Sequence, residues 1–345
     1  MATETQDTTP SSAGAPAAAT PSTPWTRLRL RLSHAMRPWR NANRMARGFV
    51  ISGVIITLAF MIMAVFADQI APYEQDQYRI QTGVDDSGEP IYDGELPRRE
   101  PPTAGYPFGT TVARFDVLSR IIHGARIAFG VVVLSTVLAM GVGVPLGLFA
   151  GYRGGRIDHV LVFLMDAVYA FPPLILAIIF AFVLQRYMSA GMPTAAIAVG
   201  ATYIPQYFRV VRNHTLSVKE ETFVEAARSL GAPPRTIVSR YVFFNVIQSV
   251  PVIFSLNAAD GVLTLAALGF LGFGVEYPAA EWGLDVSRAI TDVVSGFWWT
   301  ALFPGLAITL LVVGLTLIGE GLNDIINPLL RVKGFQGLVA AKEDT

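Results

Sequence analysis

The chain has 345 residues, of which 52% are hydrophobic and 15% charged, and its mean hydropathy is +0.47. This composition is too apolar for an ordinary soluble domain and predicts a polytopic membrane protein. The formal net charge of zero gives a nucleic-acid partner no electrostatic support, and the lack of cysteine excludes disulfides, thiolate metal sites and cysteine nucleophiles from these residues.

The first 44 residues are expected to form a disordered cytoplasmic tail. They begin with a stretch rich in Thr, Ser, Ala and Pro, which cannot bury enough apolar surface to fold. Arginine then accumulates between Arg27 and Arg47, as is typical of the cytoplasmic flank of a first membrane span. The apolar run 49–67 is long for a signal peptide, so we predict an uncleaved transmembrane helix at 45–68.

Residues 69–125 are rich in Pro, Gly and acidic side chains, and we predict an extracytoplasmic loop region there. Over 85–102 the composition fits a folded segment and a flexible linker equally well.

Five further apolar runs predict five more membrane spans, which form a core at 126–331. They lie near 127–150, 160–184, 193–211, 246–272 and 300–319. With the first span, they predict an all-α polytopic membrane protein with six transmembrane helices. Lys and Arg concentrate on the flanks assigned to the inside, which predicts cytoplasmic N- and C-termini, the latter as a tail at 332–345.

Residues 212–245 form a polar island between two of these apolar runs. Apolar residues recur near a helical period from 217 to 230, and Gly231 can adopt the left-handed conformation that ends a helix. Pro233-Pro234 suits the first turn of a second helix. The pattern predicts helix, sharp turn, helix. A connection need not be so long, so the segment either lies on lipid headgroups or binds a partner.

The second span carries a stripe of small residues, Gly143, Gly147 and Gly151, at a spacing of four. Such a stripe lets another helix approach closely, so we expect it to serve helix packing. Pro145 lies in the same span and should bend it, which makes it a candidate wall of a gated pathway.

Two acids, Asp166 and Asp260, lie within apolar runs. A carboxylate in lipid is costly, so each should face the bundle interior, a water-filled cavity or a partner. We expect a structural hydrogen bond near an inner gate for Asp166. Asp260 lies nearer the middle of its span and is the better candidate for a pathway residue. A proton-coupled carrier would place acids similarly and is the main alternative mechanism.

Within the polar island, Glu225-Ala226-Ala227 is followed four residues later by Gly231. This pattern resembles the EAA loop of importer-type ABC permeases of the dipeptide, oligopeptide and nickel family. Other segments that resemble the family's sequence, in the family's order, are GYRGGRID at 151–158, DAVYAFPPL at 166–174, GFLGFGVEYPAAEWG at 269–283 and GEGLNDIINPLLR at 319–331.

The resemblance implies a MetI-like core and a permease subunit of an ATP-driven importer in the plasma (inner) membrane of a prokaryote. It implies peptides as substrates, with nickel or another small solute left open. The EAA loop of the family docks on a separate ATPase subunit, which implies an ATPase-coupling site formed by Glu225, Ala226, Ala227, Arg228 and Gly231.

The resemblance further implies a second homologous permease subunit as heterodimer partner, two ABC ATPase subunits or a fused ATPase, and an extracytoplasmic substrate-binding protein. Besides the proton-coupled carrier, a purely structural membrane subunit is the remaining alternative.

No catalytic or metal-binding residue is expected. The chain has no phosphate-binding loop of the type G-x-x-x-x-G-K-[ST], and its four histidines are scattered without the spacing of metal ligands. This chain should therefore bind no cofactor, and ATP and Mg would be bound by the partner ATPase subunits.

Overall fold

A computed structural model describes Trp39, residues 43–85 and residues 90–326. In chain order the elements are α1 (Arg44–Val65), α2 (Ala67–Ile70), β1 (Arg79–Val84), β2 (Pro90–Glu95), α3 (Val117–Arg153), α4 (Gly155–Tyr169), α5 (Pro173–Leu184), α6 (Met192–Val218), α7 (Thr222–Ser229), α8 (Pro234–Thr236), a π-helical turn (Ile237–Val242), α9 (Phe243–Val246), a 3-10 turn (Ile247–Ser249), α10 (Val250–Phe270), α11 (Trp282–Arg288), α12 (Ile290–Val294) and α13 (Trp299–Ile326). The predicted tails 1–44 and 332–345 lie almost wholly outside the described residues.

Four helices of the described part, α1, α3, α10 and α13, are long and apolar enough to cross a membrane. They agree with the prediction of an all-α polytopic membrane protein. The predicted count of six spans is not confirmed, because two of the expected spans differ from a simple membrane helix.

The third predicted span, 160–184, is broken. It consists of α4 and α5, whose axes differ by 93° and which would together supply a fifth crossing. The break contains Pro172, and Pro173 begins α5. Proline has no backbone N–H to donate and disfavours the helical conformation of the preceding residue, so the helix ends before this pair.

The fourth predicted span, 193–211, lies within α6 but is less apolar than the others. Gln206 and Arg209 interrupt its apolar stretch, and it is not among the helices with the composition of a membrane span. Pro205 also lies inside α6, but the helix continues to Val218.

Helices α3 and α6 pack with their backbones almost in contact. The small-residue stripe faces α6: a Cβ on Gly143, Gly147 or Gly151 would lie 2.6–2.8 Å from backbone oxygens of α6. Gly200 of α6 approaches the carbonyl oxygen of Ser135 of α3 in the same way. Side chains larger than hydrogen would force the two helices apart, so glycine sets their distance.

Helix α1 packs against α13 by the same principle. A Cβ on Gly53 would lie 2.6 Å from the carbonyl oxygen of Gly314, and a Cβ on Gly321 would lie 2.9 Å from that of Ala46. The first helix therefore belongs to the same bundle as the predicted core rather than standing apart from it.

The predicted loop region 69–125 contains ordered structure. Strands β1 and β2 pair antiparallel, with Arg79 opposite Glu95. Helix α3 begins at Val117, ten residues before the predicted start of the second span at 127. Asp116 caps it by accepting a hydrogen bond from the Ser119 N–H, as carboxylates at this position commonly do.

Candidate functional site

Two regions lie near opposite ends of the long helix α3. We call residues 219–246 the helical hairpin and residues 96–123 with 277–299 the cap. Between them, α6 and α10 bring together the polar groups around Asp260.

The helical hairpin has two short arms whose apolar sides pack together. Val224 of α7 shares one hydrophobic cluster with Ile237 and Val242 of the π-helical turn, and all three are buried. The first arm is shorter than the predicted helix 217–230, because α6 extends to Val218 and the extended backbone of Glu221 separates it from α7. The cluster continues into α3 and α6, so the hairpin is anchored to the bundle.

The outward face of α7 is charged and partly apolar. Glu225, Ala226 and Arg228 are exposed, and the Leu230 side chain that follows them is 88% exposed. Ala227 is buried, so it supports the arm from inside and does not share that face. Neither Glu225 nor Arg228 takes part in an ion pair within residues 43–85 and 90–326.

Gly231 joins the two arms in a left-handed conformation, with φ of +79°. The Ala232 N–H donates to the Ala227 oxygen, and the Gly231 N–H donates to the Arg228 oxygen. This pattern is close to the helix-ending Schellman motif, which favours glycine because its φ is positive. A Cβ at Gly231 would meet no atom within 4 Å, so conformation rather than space favours glycine here.

Asp260 is exposed, although it lies in the middle of the apolar helix α10. The hydroxyl of Tyr203, from α6, donates to Asp260 Oδ2 at 2.7 Å. The same hydroxyl lies 3.0 Å from Thr264 Oγ1, which donates to the backbone oxygen of Asp260. The sequence analysis missed Tyr203 and Thr264, although hydroxyl groups within apolar runs were a readable signal.

Asp166 is held by an arginine of α6. Arg209 Nη2 donates to Asp166 Oδ1 at 2.8 Å, and the guanidinium lies over the Tyr169 ring, 4.3 Å from its centroid. The side chains remain about half exposed. One turn further along α6, Arg212 pairs with both carboxylate oxygens of Asp158. Two arginine–carboxylate pairs thus tie α4 to α6, one in the first turn of α4 and one near the break that ends it.

Pro145 is exposed within an α-helix that runs from Val117 to Arg153. Its proposed part in a gate is still a prediction. The described residues contain no group of three or more His, Cys, Asp or Glu side chains able to hold a metal ion.

The cap contains a buried arginine that joins its two segments. Arg120 is 2% exposed and binds both carboxylate oxygens of Asp285 at 2.6–3.0 Å. Its remaining N–H groups donate to the backbone oxygens of Gln75, Pro278 and Ala279. Every N–H group of the Arg120 guanidinium thus donates to an oxygen acceptor, as a buried charge requires. The sequence analysis placed Arg120 in a loop and missed this role.

Glu281 is a second buried charge-bearing group of the cap. Its carboxylate accepts hydrogen bonds from the backbone N–H groups of Gly283 and Leu284 and so caps α11. Burial raises the pKa of the Glu281 carboxyl to about 7, and the nearby charge of Asp285 adds to the effect, against the opposing hydrogen bonds. The carboxyl also presses on Gly269, where a Cβ would collide with it.

Further bonds close the cap. Arg99 pairs with the buried Asp292 at 2.7 Å. The indole N–H of Trp282 donates to the Ile121 oxygen. That of Trp299 donates to the Thr110 oxygen. The cap is therefore stabilised by polar contacts between residues more than 150 positions apart.

Residues 143–332 match the family described as "Binding-protein-dependent transport system inner membrane component". A glutathione transport system permease protein, GsiD, of Pectobacterium atrosepticum is 32% identical over 85% of this chain and 92% of its own length. Its namesake in Escherichia coli O157:H7 is 32% identical over 86% and 90%. A dipeptide transport system permease protein, DppC, of Alkalihalophilus pseudofirmus is 31% identical over 86% and 92%.

Proposed function

The chain belongs to the family of binding-protein-dependent transport system inner membrane components, and from this we propose that it is one permease subunit of an ABC importer for peptides. The observation that carries the proposal is the helical hairpin, which turns Glu225, Arg228 and Leu230 outward without a partner for either charge in the described residues. Neither a proton-coupled carrier nor a purely structural subunit needs such a surface.

In this proposal the outward face of α7 docks on an ABC ATPase subunit. Ala226 allows close approach, Glu225 pairs with a basic group across the contact, and Arg228 pairs with an acidic one. Leu230 supplies apolar area that water would otherwise cover. Ala227 and Gly231 keep the arm and its angle in place. ATP and Mg are bound by two ATPase subunits or a fused ATPase, and this chain binds no cofactor.

A second homologous permease subunit completes the pore as a heterodimer. The hairpin then faces the cytoplasm, and the cap faces an extracytoplasmic binding protein that delivers the substrate. Closure of the ATPases on ATP moves the hairpin and switches the pore between inward-open and outward-open states, which is a bistable rigid-body change. The complex lies in the plasma membrane of a prokaryote with both termini of this chain in the cytoplasm.

The docking role is tested by purifying the tagged chain in mild detergent and identifying by mass spectrometry the proteins that accompany it. We expect an ATPase with a phosphate-binding loop to accompany the wild type and to be lost from Glu225→Lys. The matched control is Glu220→Lys, the same charge reversal at an exposed position before α7, which should retain the ATPase. A wild type that emerges without any ATPase contradicts the proposal.

The substrate class is tested in proteoliposomes that contain the assembled complex and its binding protein. ATP-dependent accumulation of a dipeptide, without accumulation of Ni²⁺, supports peptide import. The reverse result assigns the nickel alternative. Uptake that follows a pH gradient and needs no ATP establishes the proton-coupled carrier instead.

A further inference from the structure

Asp260 is in an unusual position for a charged group. It lies in the middle of α10, which has the composition of a membrane span, yet its side chain is exposed on the surface of the chain. A carboxylate that faced lipid there would be costly, so this surface must be covered by water or by another polar group. The next exposed side chain on the same face, Leu263, lies one turn further along the helix.

The carboxylate is held in one orientation by neutral groups. Tyr203 is 2% exposed, and its hydroxyl donates to Oδ2 of Asp260. Thr264 Oγ1 lies 3.0 Å from the same hydroxyl. Oδ1 of Asp260 has no bond to any described residue, and Asp260 forms no ion pair there. The nearby arginines of α6, Arg209 and Arg212, already pair with acids of α4.

Polar groups continue along the same helix pair. Tyr207 and Asn257 lie about one turn from Tyr203 and Asp260 on α6 and α10, and both are buried. Asn257 lies beside the Tyr207 hydroxyl. Yet neither the Tyr207 hydroxyl nor Asn257 Nδ2 has a hydrogen-bond partner in the described part of the chain. These two groups lie inside the chain, so the exposed carboxylate of Asp260 is the part of this polar set that a solute could reach.

We propose that Asp260 binds the positively charged amino group of the substrate during translocation, with Tyr203 as the positioning residue that aims its carboxylate. The inference rests on the proposed function, and it assigns a substrate chemistry: solutes that carry an ammonium group, such as peptides with a free N-terminus. The free Oδ1 accepts from the ammonium while Oδ2 stays bound to Tyr203. Charge-assisted bonds of this kind are short and strong.

The test uses the fact that the chain contains no cysteine. Leu263→Cys places a single thiol one turn from Asp260, and the assembled complex is studied in membrane vesicles, without nucleotide and with trapped ATP. Two thiol reagents are compared, cationic 2-(trimethylammonio)ethyl methanethiosulfonate and anionic 2-sulfonatoethyl methanethiosulfonate. Labelling is measured by mass spectrometry of peptides from this chain, once with Asp260 intact and once with Asp260→Asn added.

We expect both reagents to reach Leu263→Cys in at least one nucleotide state, with the cationic reagent favoured. Asp260→Asn should lower the ratio of cationic to anionic rates about fivefold, the size expected for a unit charge a few ångströms away in a watery environment. Glycylglycine should slow labelling and N-acetylglycylglycine should not, and Asp260→Asn should abolish the protection. Tyr203→Phe keeps the charge, so it should keep the ratio of rates but weaken the protection.

Three results overturn the inference. If Leu263→Cys is unreactive while the exposed control Val294→Cys reacts, lipid or another subunit covers this face. If Asp260→Asn leaves the ratio of cationic to anionic labelling rates unchanged, the carboxylate does not face the space from which the thiol is labelled. If both peptides protect equally, the amino group is not what Asp260 binds. ATP-dependent dipeptide uptake by the wild-type complex is measured separately, so failure of the proposed function is distinguished from failure of this inference.

Discussion

The cap and the helical hairpin are both polar regions near the ends of apolar helices, but their charged side chains differ in burial and pairing. In the cap, Arg120 and Asp285 are buried and bound to each other. In the hairpin, Glu225 and Arg228 are exposed, and no ion pair of the described residues includes them.

This difference separates a region that is complete within one chain from a region that is not. A buried charge must find its partners inside the fold, because an unpaired one is strongly destabilising. An exposed charge is solvated and contributes little to stability, so it is free to serve an interface. We infer that substitutions in the cap act on folding, whereas substitutions on the outward face of the hairpin act on assembly.

The largest expected effect is that of Arg120→Met. The substitution removes the guanidinium, leaves Asp285 buried without its partner and costs about 3–5 kcal/mol of the free energy of unfolding. The measurement is thermal or denaturant unfolding of the purified protein in detergent. Arg228→Met, the same chemical change on the hairpin, should alter stability by less than about 0.5 kcal/mol. Equal losses in the two variants would remove the distinction between the regions.

A pH effect of intermediate size is expected from Glu281. Because burial raises the pKa of this carboxyl from 4.5 to about 7, the folded state binds the proton more tightly than the unfolded state. Its contribution to stability is therefore full below pH 4.5, falls by about 3 kcal/mol between pH 4.5 and 7, and is constant above. Glu281→Gln does not titrate, so the stability difference between wild type and variant should change across this window. A difference that is independent of pH would contradict the assignment.

A smaller effect on stability than at Arg120 or Glu281, with a larger effect on assembly, is expected at Gly231. Its φ of +79° costs an ordinary L-residue about 1 kcal/mol, and asparagine tolerates this conformation better than alanine does. Gly231→Ala should therefore change the angle between the hairpin arms and weaken ATPase capture and uptake. Gly231→Asn should lie closer to the wild type. Identical behaviour of the two variants would mean that the backbone conformation at this position does not limit docking.

The features that the sequence predicted are local ones. The turn at Gly231 follows from residues within a few positions of it, and the glycine stripe of α3 follows from a spacing of four. The family comparison confirms the permease class that motifs such as Glu225-Ala226-Ala227 indicated. The role of those motif residues stays a prediction.

Two kinds of feature were not predicted from the sequence. Some depend on contacts between residues far apart in the chain, and one is a helix break inside a run whose hydropathy looks continuous. Arg120 looked like a loop residue, because nothing near it in sequence indicates that Asp285 will neutralise it. The run 160–184 is apolar except for Asp166, and only Pro172-Pro173 marks the turn of 93° between α4 and α5. The role of Tyr203 depends on the packing of α6 beside α10, which brings its hydroxyl to Asp260.

The close packing of α3 and α6 has a mechanical consequence. With 37 residues at about 1.5 Å each, α3 is roughly 55 Å long, so this one helix extends from the cap to the level of the helical hairpin. Glycine contacts hold α6 closely against α3, and only three residues separate α6 from α7. In the proposed docking, a tilt of the hairpin would therefore be passed through α6 to α3. If α3 turned as one body, a rotation of a few degrees at one end would become a displacement of several ångströms at the other.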